Sequence, residues 1–559
     1  MPVSRFSLYL RTVGYLKPRQ WVHFAKRALL PTTKFKKKGS HVRQRVGLHI
    51  QPSLALSMHA KEPHEFRFLN HSKIFFDGHI DWHCQDMPKL WRYNLHYFDY
   101  VCDAALPTSA AAHLLADWIA HCPQGTPEAW EPYTVSLRIV NWVKAFLERM
   151  PPKEEWLQSL YVQALWLEQN IEYHFLANHY LKNGVALFFA GVFFEGRESE
   201  RWLQMGLKIL REEIDEQFLS DGGHFERSPM YHSISVVDYL DVLNLMMSSS
   251  QTMAFTEMDH FKVKTAQALA FLHDICLPDG EIPLFNDSAF KIAPSPSRIF
   301  EYARQTIEYD PPEQDIGLSG CEKAESGYYV LRKGGDMMVL DCGPIGPDYN
   351  PAHAHCDTLS YELSLNGRRV IVDSGVYDYE PSSQRAYARS TKAHNTVVVD
   401  GLEQSEIWGV FRVARRAKPL FARLTPLGDG HMQFDGAHDG YRRLPGKVIH
   451  QRFVEFDGSA SWIVKDEIQG GATHRVESYI HLHPDCTTTQ TGQTVLVSDQ
   501  LGLPLLRIEL VGAGDMKVEQ GWYFSEFGVE REKPVIVFTR TGPLPLSLTY
   551  RITKAPESV

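Results

Sequence analysis

The sequence lacks the cysteine pattern of a disulfide-stabilised or zinc-finger protein. Its 559 residues include eight cysteines, and no two of them form a CxxC pair. In a chain of this length, scattered cysteines do not indicate a disulfide framework, and a cysteine-based zinc motif is excluded.

Long apolar runs are also missing. No stretch of 18 apolar residues exists, so the sequence predicts no transmembrane segment. The apolar run at residues 6–10 is shorter than the apolar region of a secretory signal peptide and is followed by Arg11. We therefore expect a cytoplasmic location, with the periplasm as the alternative.

Four common catalytic signatures are absent: HExxH, GxSxG, GxxxxGK[ST], and GxGxxG after a strand. Their absence argues against zincin, α/β-hydrolase, P-loop and Rossmann chemistry. The net charge of -9 and the lack of a DNA- or RNA-reading module disfavour a nucleic-acid partner.

Acidic residues are missing from the first 61 residues, which contain 13 Lys and Arg. The densest part is residues 34–45 (KFKKKGSHVRQR). Such a basic arm recruits a polyanion, lies on an anionic membrane surface, or packs as a solvated arm on an acidic body.

The rest of the composition is that of a globular protein of two to four domains, with 44% hydrophobic and 22% charged residues. Aromatic residues reach 12% and there are 26 His. A sugar-binding cleft explains both through stacking and hydrogen bonding, and a large aromatic core is the alternative explanation.

The pattern of apolar residues divides the chain. Spacings of three and four predict helices over 109–121, 133–150, 154–169, 172–195, 199–218, 230–248, 259–275 and 296–307. Without a fixed-period repeat, an α/α toroid is favoured over a solenoid. From residue 327 onward, short β-runs separated by turns predict an antiparallel sandwich.

The predicted fold is therefore a multidomain α+β protein in three parts. A basic arm and a small β segment with an Asp77-Gly78 turn occupy 1–89, an incomplete α/α toroid occupies 90–315, and an antiparallel β-sandwich occupies 316–559.

Histidines and a carboxylate recur in residues 351–395. An Asn-Gly turn between two apolar runs predicts a hairpin that returns Asp373 towards His355, and His394 opens a later β-run. Two imidazoles and a carboxylate make a possible metal site. His353 points to the same face as His355 and remains available for proton transfer.

Two stretches of the helical half also carry polar groups. Asn178 and His179 open an apolar helix, where they either face a cleft or serve as a cap and a core histidine. Residues 221–240 crowd ionisable groups before a helix that Ser228 is expected to cap. Nearby Arg and His cations are expected to lower the pKa of Tyr231 enough for acid–base work.

In combination, these stretches resemble the heparinase II/III-type polysaccharide lyases. The resemblance rests on ANHY, HFERSPMYH, AHAHCDTLSYELSLNGRRVIVDSG and AHNTVVVDG, in that order, and covers about residues 90 to 400. It implies an α/α toroid followed by a β-sandwich. It also implies β-elimination on uronate-containing, glycosaminoglycan-like polysaccharides, which leaves an unsaturated uronate end.

The resemblance assigns roles residue by residue. It implies a catalytic set of Asn178, His179, Tyr231 and His353. It implies that a divalent metal, usually zinc and mainly structural, is held by His355, Asp373 and His394. Glu226, Arg227, Arg385 and Arg389 are expected to bind the substrate, the arginines through sulfate or carboxylate groups.

β-Elimination needs the uronate carboxylate neutralised, which Asn178 with His179 or Glu226 can do through hydrogen bonds. Tyr231 abstracts the C5 proton, protonates the departing O4, or does both. His353 or His179 is the base from the opposite face for epimeric uronates.

Two other functions stay open at this point. A glycoside hydrolase would need two carboxylates flanking the bond, for which Glu226 and Asp357 are the candidates. The second is a non-catalytic glycan-binding or accessory protein of a bacterial surface-polysaccharide pathway. The sequence does not determine the oligomeric state or the particular polysaccharide.

Overall fold

The computed structural model describes residues 5–29, 42–54, 60–62, 64–76, 79–249, 253–313 and 316–556. Most of the densest basic stretch and the Asp77-Gly78 turn lie outside these residues. Within the described ranges, no helix is both long enough and apolar enough to cross a bilayer. All eight cysteines are described, and each is a free thiol.

Helices dominate the chain up to residue 307. They are α1 Arg5–Val13, α2 Pro18–Leu29, α3 Lys89–Tyr97, α4 Thr108–His121, α5 Pro132–Glu148, α6 Glu154–Gln169, α7 Ala177–Phe193, α8 Arg197–Gln217, α9 Pro229–Ser248, α10 Met258–Ile275 and α11 Pro296–Ile307, with the later α12 at Ser383–Ala388. Seven of the eight predicted helices agree with these bounds to within two residues.

The exception is α7, which was predicted to begin at residue 172. A left-handed backbone at Leu176 (φ 58°) and Ala177 (φ 51°) turns the chain sharply just as the helix starts. Further along α7, Gly191 lets α8 approach closely, since a Cβ there would lie 2.4 Å from the backbone nitrogen of Leu203. The apolar run predicts the helix but not this turn.

The strands lie in one short stretch near the start of the chain and in the region from residue 319 onward. Near the start is an antiparallel sheet of β1 Ala60–Glu62, β2 Glu65–Phe68 and β3 His71–Ile74. A five-stranded sheet contains β4 Ser319–Lys323, β5 Tyr328–Lys333, β6 Asp336–Asp341, β7 Tyr361–Leu365 and β8 Arg368–Ile371. Asn366 and Gly367, both with positive φ, make the predicted β7–β8 hairpin turn.

The later strands form antiparallel sheets of two, four and eight strands. They are β9 Val397–Val399, β10 Ile407–Trp408, β11 Arg412–Val413, β12 Pro419–Leu427, β13 His431–His438, β14 Ile449–Phe456, β15 Ser461–Gln469, β16 Thr473–His481, β17 Cys486–Thr491, β18 Thr494–Asp499, β19 Pro504–Val511, β20 Asp515–Tyr523, β21 Arg531–Pro543 and β22 Leu546–Lys554. One sheet has the order β12-β13-β14-β15-β22-β19-β18-β17 and another β20-β21-β16-β9.

Burial in these strands follows the period of two that the sequence predicts. Every second residue of β14 and β15 is buried, and Trp462, Val464 and Tyr550 contribute to the core of this region. The predicted fold class, a helical region followed by antiparallel sheets, is confirmed.

The segment before α9 joins the helical region to the sheets. Tyr328 of β5 donates its hydroxyl to the Arg227 carbonyl at 2.6 Å, and the Ser228 hydroxyl donates to the Asp287 carbonyl at 2.6 Å. The Asp287 amide donates to the His353 carbonyl at 2.9 Å. These contacts fix the start of α9 against the 351–357 loop, where the candidate site lies.

Candidate active site

A cleft of about 800 Å³ opens where the helical region meets the loops of the sheet region. Asn178 and His179 of α7, Tyr231 of α9, and His353 and Tyr379 from the sheet region all line it. The four predicted catalytic residues therefore share one cavity, although they span 175 positions of the chain.

Tyr231 lies at the centre of this group. Ser228 caps α9 by accepting from the Tyr231 amide at 3.2 Å, which places Tyr231 in the first helical turn. Its ring stacks on His353 with centroids 3.8 Å apart and planes 15° apart. Its hydroxyl oxygen lies 3.1 Å from that of Tyr379.

The expectation of a lowered Tyr231 pKa is wrong. Burial, followed by the neighbouring Tyr379 and Tyr133, raises the pKa of Tyr231 well above its ordinary value. The cation expected to lower it, Arg227, directs its side chain elsewhere. Tyr231 consequently keeps its proton in the free protein.

His353 has a buried carboxylate behind it. Glu226 Oε2 lies 2.5 Å from His353 Nδ1, which leaves the other imidazole nitrogen for the cleft. Burial alone would raise the pKa of Glu226, but the charge and hydrogen bond of His353 outweigh it and the pKa is lowered. Glu226 does not line the cleft, so its predicted contact with substrate is replaced by a contact with His353.

Asn178 and His179 lie in the first turn of α7. The Asn178 Oδ1 atom is buried and has no hydrogen-bond partner among the described residues. His179 Nδ1 lies 3.0 Å from Glu172 Oε1, and the Asn183 side chain holds Glu172 in turn. Burial lowers the pKa of His179, but the Glu172 carboxylate more than compensates and the net shift is upward.

The three predicted substrate-binding arginines do not line the cleft. Arg227 donates to the Ser326 and Glu325 carbonyls at 3.1 Å each. Arg385 makes a two-pronged contact with Asp287, and Arg389 donates to backbone carbonyls, including Ala354 at 3.0 Å. All three guanidinium groups are buried and engaged by the protein, so their assignment as substrate contacts is corrected to a structural one.

The predicted metal residues are fully buried in the sheet region. His394 Nδ1 lies 2.7 Å from Asp373 Oδ2, His355 Nε2 lies 2.9 Å from Asp287 Oδ1, and the two rings are 5.3 Å apart. His355 Nδ1 and His394 Nε2 have no hydrogen-bond partner among the described residues. Two orphaned imidazole nitrogens with carboxylate-bound far sides fit a metal site in donor chemistry.

A different group of side chains in the described residues brings three possible metal-ligand atoms close together. His79, Asp117 and His121 each offer a ligand atom, and these atoms lie within 4.8 Å of one another. The predicted set of His355, Asp373 and His394 does not meet that distance in the described residues. A His/Asp/His cluster is thus present, at positions that the sequence interpretation did not select.

Other residues at the cleft were also missed. Tyr379, which meets the Tyr231 hydroxyl, lies in a loop whose sequence, VYDYEP, signalled only an aromatic-rich turn. Lys144 and Lys182 contact Asp241 and Asp238, both on α9. Asp238 and Asp241 are three residues apart, a helical spacing that would have predicted a shared acidic face.

Family models decide what kind of chain this is. The model described as "Heparinase II/III N-terminus" matches residues 13–316, and "Heparinase II/III-like, C-terminal" matches residues 322–551. The chain belongs to the heparinase II/III family. The first match ends between α11 and β4, and the second begins within β4.

Curated relatives named heparin-sulfate lyase share less than 30% of their aligned residues with this chain. A heparin-sulfate lyase of Pedobacter heparinus is 28% identical over 468 residues, covering 76% of this chain and 66% of that protein. One from Bacteroides stercoris is 27% identical over 376 residues, covering 61% of this chain and 52% of that protein. The chain thus spans about two thirds and one half of these relatives.

A relative with a different name aligns over more of its own length. FtsZ-localized protein C of Caulobacter vibrioides is 23% identical over 502 residues, covering 83% of this chain and 81% of that protein. Among solved structures, that of heparinase III superposes with a TM-score of 0.70 at 20% identity, covering 86% of this chain and 80% of that one. This likeness shows a shared fold.

Proposed function

We propose that this heparinase II/III family member is a polysaccharide lyase that cleaves a uronate-containing polysaccharide by β-elimination. The observation that carries the proposal is the cleft in which the stacked Tyr231 and His353 rings and the first turn of α7 come together. The two relatives named heparin-sulfate lyase support it.

The first requirement is neutralisation of the uronate carboxylate. Asn178 and His179 lie at the N-terminus of a 17-residue helix, where unpaired backbone N–H groups favour an anion. The Asn178 amide nitrogen donates to the carboxylate, and a protonated His179 adds positive charge. Both interactions strengthen as charge develops on the enolate-like intermediate.

The second requirement is a base and an acid. We assign removal of the C5 proton to His353, because the ionised Glu226 behind it stabilises the imidazolium that forms. Tyr231 holds its proton and donates it to O4 as the C4–O4 bond breaks, leaving a C4–C5 double bond. For uronates that present both atoms on one side, Tyr231 performing both transfers is the alternative.

The charge of the cleft suggests the substrate class. The lysines that line it each meet a carboxylate: Lys89 meets Glu131, Lys144 meets Asp241, Lys182 meets Asp238 and Lys291 meets Glu526. Arg412 also lines the cleft, with its guanidinium over the Trp408 ring. With Arg227, Arg385 and Arg389 engaged elsewhere, few cations remain for sulfate groups. We propose a glycan with carboxylates and few sulfates.

We also propose a structural divalent metal, zinc by donor type, held by His355, Asp373 and His394. The support is the pair of orphaned imidazole nitrogens in a fully buried site. When bound, the ion supplies a cross-link between the loop before β7, the end of β8 and the segment before β9. No proton-transfer step passes through it.

A substrate panel tests the lyase proposal. Hyaluronan, chondroitin sulfates, heparan sulfate, heparin and alginate are incubated with the protein, and ultraviolet absorbance and product mass are followed. The expected result is absorbance from an unsaturated uronate, strongest with sparsely sulfated chains. New reducing ends without absorbance would indicate a hydrolase and contradict the proposal.

A non-catalytic role is the second candidate. The observation that favours it is the Caulobacter relative, which aligns over 81% of its length and is named for its localisation with FtsZ. Binding of a uronate glycan without any turnover, in wild type and Tyr231→Phe alike, would support this alternative and contradict the lyase proposal.

A further inference from the structure

We propose a second metal site, formed by His79, Asp117 and His121, that takes a divalent transition ion such as Zn²⁺. One ligand atom from each side chain lies within 4.8 Å of the others. Two imidazoles and one carboxylate are the donors of many three-residue zinc sites, in which a fourth position stays open to water. None of the three residues lines the cleft.

Helix α4 supplies two of the ligands. Asp117 and His121 are four residues apart and therefore lie on one face of the helix. His121 Nδ1 lies 2.9 Å from the Asp117 backbone carbonyl and 3.1 Å from Asp117 Oδ1, so the imidazole and the carboxylate already occupy one small volume. An ion that enters there would be coordinated by both side chains.

His79 completes the set from a different part of the chain. It lies between β3 and α3, and its ring centroid is 5.1 Å from that of His121. His79 and His121 are both exposed, so an ion reaches the site directly from solvent.

A buried tryptophan orients the carboxylate. The Trp82 indole nitrogen donates to Asp117 Oδ2 at 2.8 Å, which leaves Oδ1 facing the histidines. Trp82 is only 2% exposed and stacks on Phe98 with ring planes 12° apart, so this donor is held rigidly. Such outer contacts fix the direction of a metal ligand.

The bound ion would tie the segment that follows the three-stranded sheet to the outside of the helical region. The ion would act as a cross-link at the surface, separate from the buried ion proposed at His355, Asp373 and His394. The two proposals are distinguishable because one site is open to solvent and the other is fully buried.

The test uses the untagged full chain after removal of metal with a chelator. Isothermal titration with Zn²⁺ measures stoichiometry for wild type, His121→Ala, Asp117→Asn and the control His113→Ala. His113 lies on the same helix with its ring 6.4 Å from that of His64, and this histidine pair belongs to no three-ligand cluster among the described residues. Co²⁺ then serves as a spectroscopic probe of coordination.

We expect His121→Ala and Asp117→Asn to bind one equivalent less than wild type, and His113→Ala to bind as wild type does. Trp82→Phe should keep the stoichiometry and weaken affinity by about 10- to 100-fold. Equal stoichiometry in wild type and His121→Ala, or an equal loss in His113→Ala, would overturn the proposal. Because the readout is metal content, a failure of the lyase proposal leaves this result unaffected.

Discussion

Two histidines that are two residues apart end in different surroundings. His353 pairs with Glu226 and opens onto the cleft, with 11% of its side chain exposed. His355 pairs with Asp287 and has 0% exposed. On an extended segment, residues two apart would share a face, as the sequence predicts, but the chain turns at residues 352–353 and the two rings separate. The same pairing of imidazole and carboxylate therefore lies once at the cleft and once in the protein interior.

The comparison shows that exposure to the cleft, more than residue type, distinguishes a candidate catalytic pair of side chains from a structural pair. Both regions contain buried polar atoms without a partner among the described residues: Asn178 Oδ1 and Glu226 Oε1 near the cleft, and His355 Nδ1 and His394 Nε2 inside. Asn178 lines the cleft, so its side chain can meet a substrate, whereas Glu226 reaches the cleft only through His353. The two imidazole nitrogens inside can meet only an ion.

The strongest test of this comparison is Tyr231→Phe. Loss of the phenolic proton should lower kcat by about 10²- to 10⁴-fold, the usual contribution of general acid–base catalysis. The ring and its stacking on His353 remain, so the free energy of unfolding should change little. Tyr379→Phe is the control and should lose less activity; turnover that survives in Tyr231→Phe would remove Tyr231 from the chemistry.

Asp373→Asn should lower the stability of the protein and leave its kcat nearly unchanged. Breaking the buried pair with His394 should cost about 3–5 kcal/mol of unfolding free energy. The kcat per folded molecule should stay close to wild type, because Asp373 does not line the cleft. Denaturant unfolding measures the loss of stability, and activity at a permissive temperature measures kcat. A large loss of kcat in the folded fraction would contradict the view that Asp373 is structural and not catalytic.

Glu226→Gln should affect catalysis less than Tyr231→Phe. The amide still contacts His353 but no longer stabilises the imidazolium, so kcat should fall by about 10- to 100-fold with KM nearly unchanged. Steady-state kinetics on a panel substrate measure this. A rise in KM alone would restore the substrate-binding role first predicted for Glu226.

The smallest expected effect is a shift in pH dependence. Glu172 raises the pKa of His179, so the imidazolium persists to higher pH and is lost as pH rises through that pKa. Glu172→Gln should lower the pKa and move the alkaline limb of the kcat/KM profile to lower pH, with only a few-fold loss at the optimum. An unmoved alkaline limb would mean that His179 acts without its charge.

The sequence predicts the elements well because they depend on local spacing. The 3.6-residue period predicts α6 at its exact bounds, and Ser228 with Pro229 predicts the start of α9. The start of α7 could not be predicted, because the left-handed backbone at Leu176 and Ala177 has no glycine to signal it.

The sequence places the motif residues together but does not reveal their partners, and the catalytic roles of the motif residues stay predictions. Asn178, His179, Tyr231 and His353 are in one cavity as expected. The substrate-binding role predicted for Arg385 was not found because its partner, Asp287, is 98 positions away, and no local pattern shows that this cation of α12 is buried. The raised pKa of Tyr231 likewise depends on burial by residues from both halves of the chain.

Asp287 gives the junction a further property. Its carboxylate holds His355 and Arg385, its amide contacts the His353 carbonyl, and its carbonyl accepts from the cap of α9. Loosening of the interior around this residue would therefore displace the Tyr231–His353 pair before the rest of the fold is lost. On heating, turnover should cease at a lower temperature than that at which helical circular dichroism is lost. Activity would then report early on loosening between the helical region and the sheet region.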